Sequence, residues 1–204
     1  ANAALRSHWR LFDAELRIRD LPDPQLCELT SDRVFLDRSV VETVARLDPD
    51  AVGVLTYFVN SIRRDQQETP YSMVTALGRL GGPGEPAAAV APLLALVPAA
   101  LAPDQIVLND WLARDLGAAI GELVTLDYSV LGDGLRLEER SQTLRVHSIV
   151  ELAGAAADPS LMPAFPGLAE ARSCRDWEPG IPVELDRLDD GDQKYWDEHR
   201  GTPK

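Results

Sequence analysis

Apolar and polar positions follow several rhythms along this chain, and each rhythm predicts an element. Leu5, Trp9, Phe12 and Leu16 recur at spacings of four, three and four. That spacing puts them on one face of a helix from the chain start to about Ile18, closed by Pro22 and Pro24. Residues 33–36 read as a short extended piece. Ser39 and Glu42 have capping-box spacing and lead Val40, Val41, Val44 and Leu47, so a second helix is expected there. Residues 52–62 and 71–77 are dense in β-branched and aromatic side chains. They predict strands with apolar side chains on both faces, central in a sheet. The intervening residues 63–68 read as a charged loop, and residues 78–86 as a Gly/Pro break.

The second half is more regular. Residues 87–103 carry no charge but include Pro92, Pro98 and Pro103, the pattern of a linker with short helical pieces. Residues 106–108 predict a strand. Asn109 or Asp110 caps a helix to about Leu116, and Gly117 ends it. Residues 120–130 predict a strand, Gly132-Asp133-Gly134 a turn, and residues 135–152 a long returning strand. In the latter, Leu144, Val146 and Val150 alternate with Arg145, His147 and Ile149, so mainly one face is buried. Residues 153–182 hold five prolines and read as loop. A last short helix starts near Asp192 and carries Tyr195 and Trp196. No internal repeat is present. These elements make an α+β protein, a mixed sheet with flanking helices.

Composition narrows the function classes. With 45% hydrophobic and 26% charged residues, the chain has the makeup of a folded domain rather than a disordered one. Its 20 Lys and Arg against 33 Asp and Glu give a net charge of -13, the wrong sign for nucleic acid or anionic lipid headgroups. Two cysteines, Cys27 and Cys174, exclude a disulfide-rich scaffold and a four-cysteine zinc site; whether they form one bridge is left open. The missing initial Met and the ending Gly201-Thr202-Pro203-Lys204 read as a piece of a longer protein.

Candidate chemistry is sparse. His8, His147 and His199 share no metal-ligand spacing. There is no G-x-S-x-G elbow, and Ser72, in Pro70-Tyr71-Ser72-Met73, reads as a strand-edge hydroxyl. Gly81-Gly82-Pro83-Gly84 lacks the lysine of a phosphate loop. Asp189, Asp190, Asp192, Asp197 and Glu198 cluster without the spacing of an EF-hand, which leaves helix capping as their simpler role. No cofactor, metal or catalytic set follows from the residues.

Two blocks carry a resemblance. One is Tyr57-Phe58-Val59-Asn60-Ser61-Ile62 with Pro70-Tyr71-Ser72-Met73-Val74. The other runs from Ile106 through Asn109-Asp110-Trp111-Leu112 and Leu116-Gly117 to Gly121-Glu122-Leu123-Val124-Thr125-Leu126. The second block resembles the extracytoplasmic core domain of MacB-like/FtsX-like bacterial ABC transporter permeases. There a strand, a short helix ending in Leu-Gly and a Gly-acid pair precede a strand pair; Glu122 replaces the commoner Asp. The closing run from Trp177 through Tyr195-Trp196 to Lys204 resembles a bacterial permease subgroup.

The resemblance implies a porter-like α/β part and a β-rich part with a long two-stranded hairpin. Residues 1–204 would be one extracytoplasmic region of a larger permease. Its sub-parts would be 1–80 with 104–118 (α/β), an 81–103 Ala/Pro linker, and 119–204 (β-rich). The helix at Leu5 to Leu16 would be a membrane-proximal stalk. The implied location is the extracytoplasmic, periplasmic face of the bacterial inner membrane, as part of an integral membrane protein. The implied partners are the parent chain's own transmembrane segments, a separate cytoplasmic ATPase subunit, a second permease in a dimer, and an envelope protein or lipoprotein substrate. The implied role is non-catalytic: coupling ATP-driven helix motion to handling outside the cytoplasm. Arg63, Arg64, Asp65 and Glu68, with residues 158–182, are the expected partner-contact loops. The competing readings are an independent ligand- or peptide-binding module of the cell envelope, and a hydrolase using His147 or Ser72.

Overall fold

The structure, a computed structural model, describes residues 8–21, 26–33, 35–82, 84–132, 134, 136–162, 171, 173–176 and 183–199. The protein is α+β, with a two-stranded antiparallel sheet and a five-stranded mixed sheet. The chain divides into two units, residues 1–53 with 79–92 and residues 54–78 with 93–204. The five-stranded sheet draws on residues 52–79, 105–109 and 123–150, so it runs across the sub-parts expected from sequence.

In the first unit the expected helix does not run on to Ile18: His8 is helical, residues 1–7 lie outside the described residues, and the chain changes form after His8. Leu11–Ala14 makes one 3-10 turn, Glu15 takes a left-handed backbone at φ 56°, and Leu16 opens strand β1, Leu16–Asp20. β1 pairs antiparallel with β2, Cys27–Ser31, with Arg19 facing Glu28 in an ion pair and Arg17 paired to Asp32 at 2.8 Å. Cross-strand charge pairs and the burial of Leu16 favour this ladder. Leu16 is buried whereas Trp9 and Phe12 are exposed, so these three do not share one buried helical face. Leu5, Pro22 and Pro24 lie outside the described residues. An extended piece lies at β2; of residues 33–36, residues 33, 35 and 36 are described and none of them is in a strand.

Helix α1 spans Arg38–Leu47 as expected, but its N-cap is Asp37, and Ser39 and Glu42 form no capping box. Glu42 pairs with Arg38 at 2.8 Å instead, and Thr43 Oγ1 donates to the Ser39 carbonyl. At the Gly/Pro break, Leu80 N–H donates to Ala51 at 2.9 Å, and a Cβ on Gly81 would come within 2.7 Å of Pro49 Cα. Only glycine fits that crossing. Cys27 and Cys174 carry free thiols, the first exposed and the second buried.

The second unit holds the core. The strands of the five-stranded sheet are β3, Val52–Arg64; β4, Gln67–Arg79; β5, Gln105–Asn109; β6, Leu123–Leu131; and β7, Leu137–Val150, in the order β4-β3-β6-β7-β5. β6 runs antiparallel to β3 and β7, and β5 runs parallel to β7. β4 is therefore an edge strand, not a central one. Thr69, Pro70, Ser72 and Met73 are buried there without a further neighbouring strand among the described residues. The strands continue through the expected charged loop to a two-residue turn, where Asp65 takes φ 53°. Aspartate tolerates that left-handed position better than most side chains.

The predicted short pieces follow. Helix α2 is Ala91–Leu94, within the Ala/Pro linker. Helix α3 is Asp110–Asp115; Gly117, at φ +59°, turns the chain after it. Helix α4 is Asp190–His199 and carries Tyr195 and Trp196. The core packs Leu112 of α3 and Leu116, which follows the helix, against Ile62, Leu108, Val124 and Val146. Val107 faces Ser148 while Ile106 faces Val146, which skips His147 and shifts the alternation. Ile149 accordingly joins Leu144 and Val146 on the core, the place the even spacing assigns to Val150.

Candidate functional site

The residues singled out at 63–68 sit at the β3–β4 turn, and most of their polar groups are engaged within the second unit. Arg63 Nε donates to Asp127 Oδ2 at 2.7 Å. Arg64 reaches the end of α3, where Nη1 donates to the Leu116 and Gly117 carbonyls and Nη2 to Glu122 Oε1 at 2.9 Å. A cation there answers the orphan carbonyls and negative end of the helix. Glu68 forms an ion pair with Arg187. Asp65, 83% exposed, faces solvent at the tip beside the exposed Gln66. Its carboxylate lies 3.9 Å from Arg64 Nε. Of the other expected contact segment, 158–182, residues 163–170, 172 and 177–182 lie outside the described residues.

The 106–126 block closes on the same turn. Asn109 Oδ1 accepts from Leu112 N–H at 2.8 Å, so Asn109 is the cap. Asp110 Oδ1 accepts from Leu152 N–H at 2.9 Å and Oδ2 from Arg114 at 2.7 Å. The Leu152 backbone bond, with help from Arg114 and against a smaller burial effect, holds the Asp110 carboxyl below its ordinary value. Thr69 Oγ1 donates to Asp115, and Glu122 Oε2 accepts from Ala119 N–H at 2.7 Å. We expect Asn109→Ala to destabilise the protein by about 1 kcal/mol, read as a shift in urea midpoint at constant slope.

Beside this lies a row across three strands. Ser61 faces Asp127, which faces Ser141. Asp127 Oδ2 accepts from Ser61 at 3.1 Å and from Arg63, and Oδ1 accepts from Ser141. Burial alone would raise the Asp127 pKa, but the bonds from Arg63, Ser141 and Ser61 outweigh it and hold it below the usual carboxylate value. Asn60 extends the row to Ser129 at 3.1 Å and Glu139 at 2.9 Å. Thr125, Asp127 and Ser129 alternate with Val124, Leu126 and Tyr128, so this polar face was readable as a period of two. The roles of Arg64 and Arg187 had no such signal, because their partners lie over fifty residues away.

The hydrolase candidates are not brought together. Ser72 sits within β4, 2% exposed, and its Oγ has no hydrogen-bond partner among the described residues. His147 is on β7, with β3 and β6 between them. Three strand spacings put about 14 Å along the sheet between those strands, beyond a nucleophile–base hydrogen bond. His8 lies in the first unit, and the His199 ring lies 5.2 Å from the Tyr195 ring. Among the described residues no three His, Cys, Asp or Glu side chains gather as metal ligands would. In the acidic cluster, Asp189 and Asp192 cap each other's backbone N–H groups at 3.0 and 3.1 Å where α4 begins.

What these side chains do is brace a sheet, a turn and a short helix against one another. No family model matches the chain and no curated protein matches it, so the resemblance to permease domains rests on the residues quoted for it.

Proposed function

We propose that this chain is a non-catalytic extracytoplasmic domain of a bacterial ABC transporter permease of the MacB-like/FtsX-like kind. It couples ATP-driven motion of membrane helices to a substrate or partner outside the cytoplasm. Its neighbours are the parent chain's membrane spans, a second permease, a separate cytoplasmic ATPase and an envelope protein or lipoprotein. The observation that carries this reading is the 106–126 block. It folds as strand, short helix ending at Leu116-Gly117, Gly-acid turn and long strand pair, with Arg64 and Glu122 tying helix end to sheet. A lever has to be stiff, and β6 and β7 pair over nine residues while Arg63, Asp127 and Ser141 cross-link three strands. Large apolar side chains remain exposed in the first unit, among them Trp9, Phe12, Ile18, Phe35 and Leu47, as expected of a surface that other parts of an assembly cover. Among the described residues no helix is long and apolar enough to cross a membrane, so on this reading the spans belong to other parts of the parent chain.

The test is the reading frame that encodes this chain, followed by the protein it makes. Apolar segments of about twenty residues are expected on both sides, and the full protein is expected in the membrane fraction with Asp65 open to protease or labelling from outside. A frame that begins near Ala1 and stops just after Lys204, or a product wholly released from membranes, overturns the reading.

A further inference from the structure

Tyr71 is a strained residue in a clasp. It follows buried Pro70 within β4, yet its backbone sits at φ 49°, a left-handed conformation that a bulky side chain adopts at a cost. Its ring stacks on Phe58 with centroids 5.9 Å apart and planes 15° from parallel. Over the ring lies the Arg187 guanidinium, 5.6 Å from the centroid. Arg187 also pairs with Glu68, and the Tyr71 hydroxyl accepts from Glu184 N–H. A short 3-10 turn, Leu185–Arg187, thereby fastens the chain before α4 onto the β3–β4 hairpin.

The fastening is of a kind that opens. The Arg187 and Glu68 side chains are 32% and 40% exposed, so salt screens their attraction. The ring contact and the ion pair are each modest, of the same order as the strain stored in a non-glycine left-handed residue. By contrast Leu188, one residue on, is buried, and its carbonyl accepts from Arg175 at 2.9 Å, which anchors the far end of the segment. Lifting 184–187 therefore leaves α4 seated.

We propose that residues 184–187 form a releasable latch over the β3–β4 hairpin, held shut by Arg187 on Tyr71 and Glu68, and that its opening uncovers the Phe58–Tyr71 face and lets Tyr71 relax. Nothing in this depends on the permease reading; it concerns two segments of one unit. It gives the region around the β3–β4 turn two states, closed on Arg187 or open with an acid and two aromatic rings presented together.

Hydrogen exchange read by mass spectrometry separates latch from fixed packing. Arg187→Ala is expected to speed exchange in peptides covering 183–188 at least tenfold while 123–146 stays unchanged. Tyr71→Phe, which removes the hydroxyl that meets Glu184 N–H and Arg187 but keeps the ring, is expected to act in the same direction and less. In the wild type, 1 M salt is expected to speed exchange in 183–188, and in Arg187→Ala to add nothing. If Arg187→Ala fails to fold, Glu68→Gln and the wild-type salt series read the same equilibrium. Exchange in 183–188 that ignores both substitution and salt, or that rises only together with exchange in 123–146, overturns the proposal.

Discussion

Leu112→Ala is expected to remove about 2–5 kcal/mol of stability, the range for truncating a leucine that has no access to water. Leu112 is fully buried in α3 and packs in the cluster with Ile62, Leu108, Val124 and Val146. α3 is only six residues long, far below the length at which a helix holds itself together. What holds it is the burial of Leu112, Ala113 and Leu116, the Asn109 cap and the Arg64 contacts at its end. Deleting three carbons from Leu112 forfeits their transfer free energy and leaves a cavity, since the surrounding strands are ladder-bonded and collapse little. Against a typical total of about 5–15 kcal/mol this is a large fraction. Urea titration is expected to show a lowered midpoint at unchanged slope. Leu47→Ala, at a side chain 80% exposed, serves as the control and is expected to stay within about 0.5 kcal/mol. A Leu112→Ala loss as small as the control's would mean that α3 is not packed on the sheet.

The regular second half of the chain is legible because its signals are local. Asn109 before an apolar trio, Gly117 after it, and polar–apolar alternation through Thr125, Asp127 and Ser129 each fix an element within a few residues. Tyr195 and Trp196 place the final helix to within two residues of its start. The opening segment misleads because four apolar residues at helical spacing fit both a helix and a turn leading into a strand, and the deciding partner, β2, begins eleven residues after Leu16. β4 reads as a central strand because Tyr71, Met73, Val74, Ala76 and Leu77 suit burial on both faces. What covers an edge strand is a tertiary fact that its own sequence does not carry. The same holds for the turn at 63–68. Its charges look solvated in the sequence, whereas Arg63, Arg64 and Glu68 meet Asp127, Glu122 and Arg187 from distant parts of the chain. Bracing by long-range ion pairs is invisible to any local window, which is why a row of charges is weak evidence for a contact surface.

Asp127→Asn is expected to cost about 1–3 kcal/mol at pH 7, and the cost is expected to shrink as pH falls. Asp127 is 15% exposed at its side chain and accepts from Ser61, Arg63 and Ser141. An amide keeps one acceptor and turns N–H groups toward donors on its other side; Ser61, 2% exposed, has little water to replace the lost bond. The direction with pH follows from the carboxyl, which folding holds below its ordinary value of 3.8. Between the folded and unfolded pKa values the unfolded chain binds a proton that the native state refuses, so protonation favours unfolding. The stabilisation is complete above the unfolded value and is lost as pH drops from about 4 through the lower folded value. Urea titrations of wild type and Asp127→Asn at pH 7, 5 and 3 are expected to show a gap that is constant between 7 and 5 and narrower at 3. A gap that persists undiminished at pH 3 would show that the variant's loss comes from packing rather than from the charged acceptor. The cross-link between β3, β6 and β7 would then not be what stiffens this sheet.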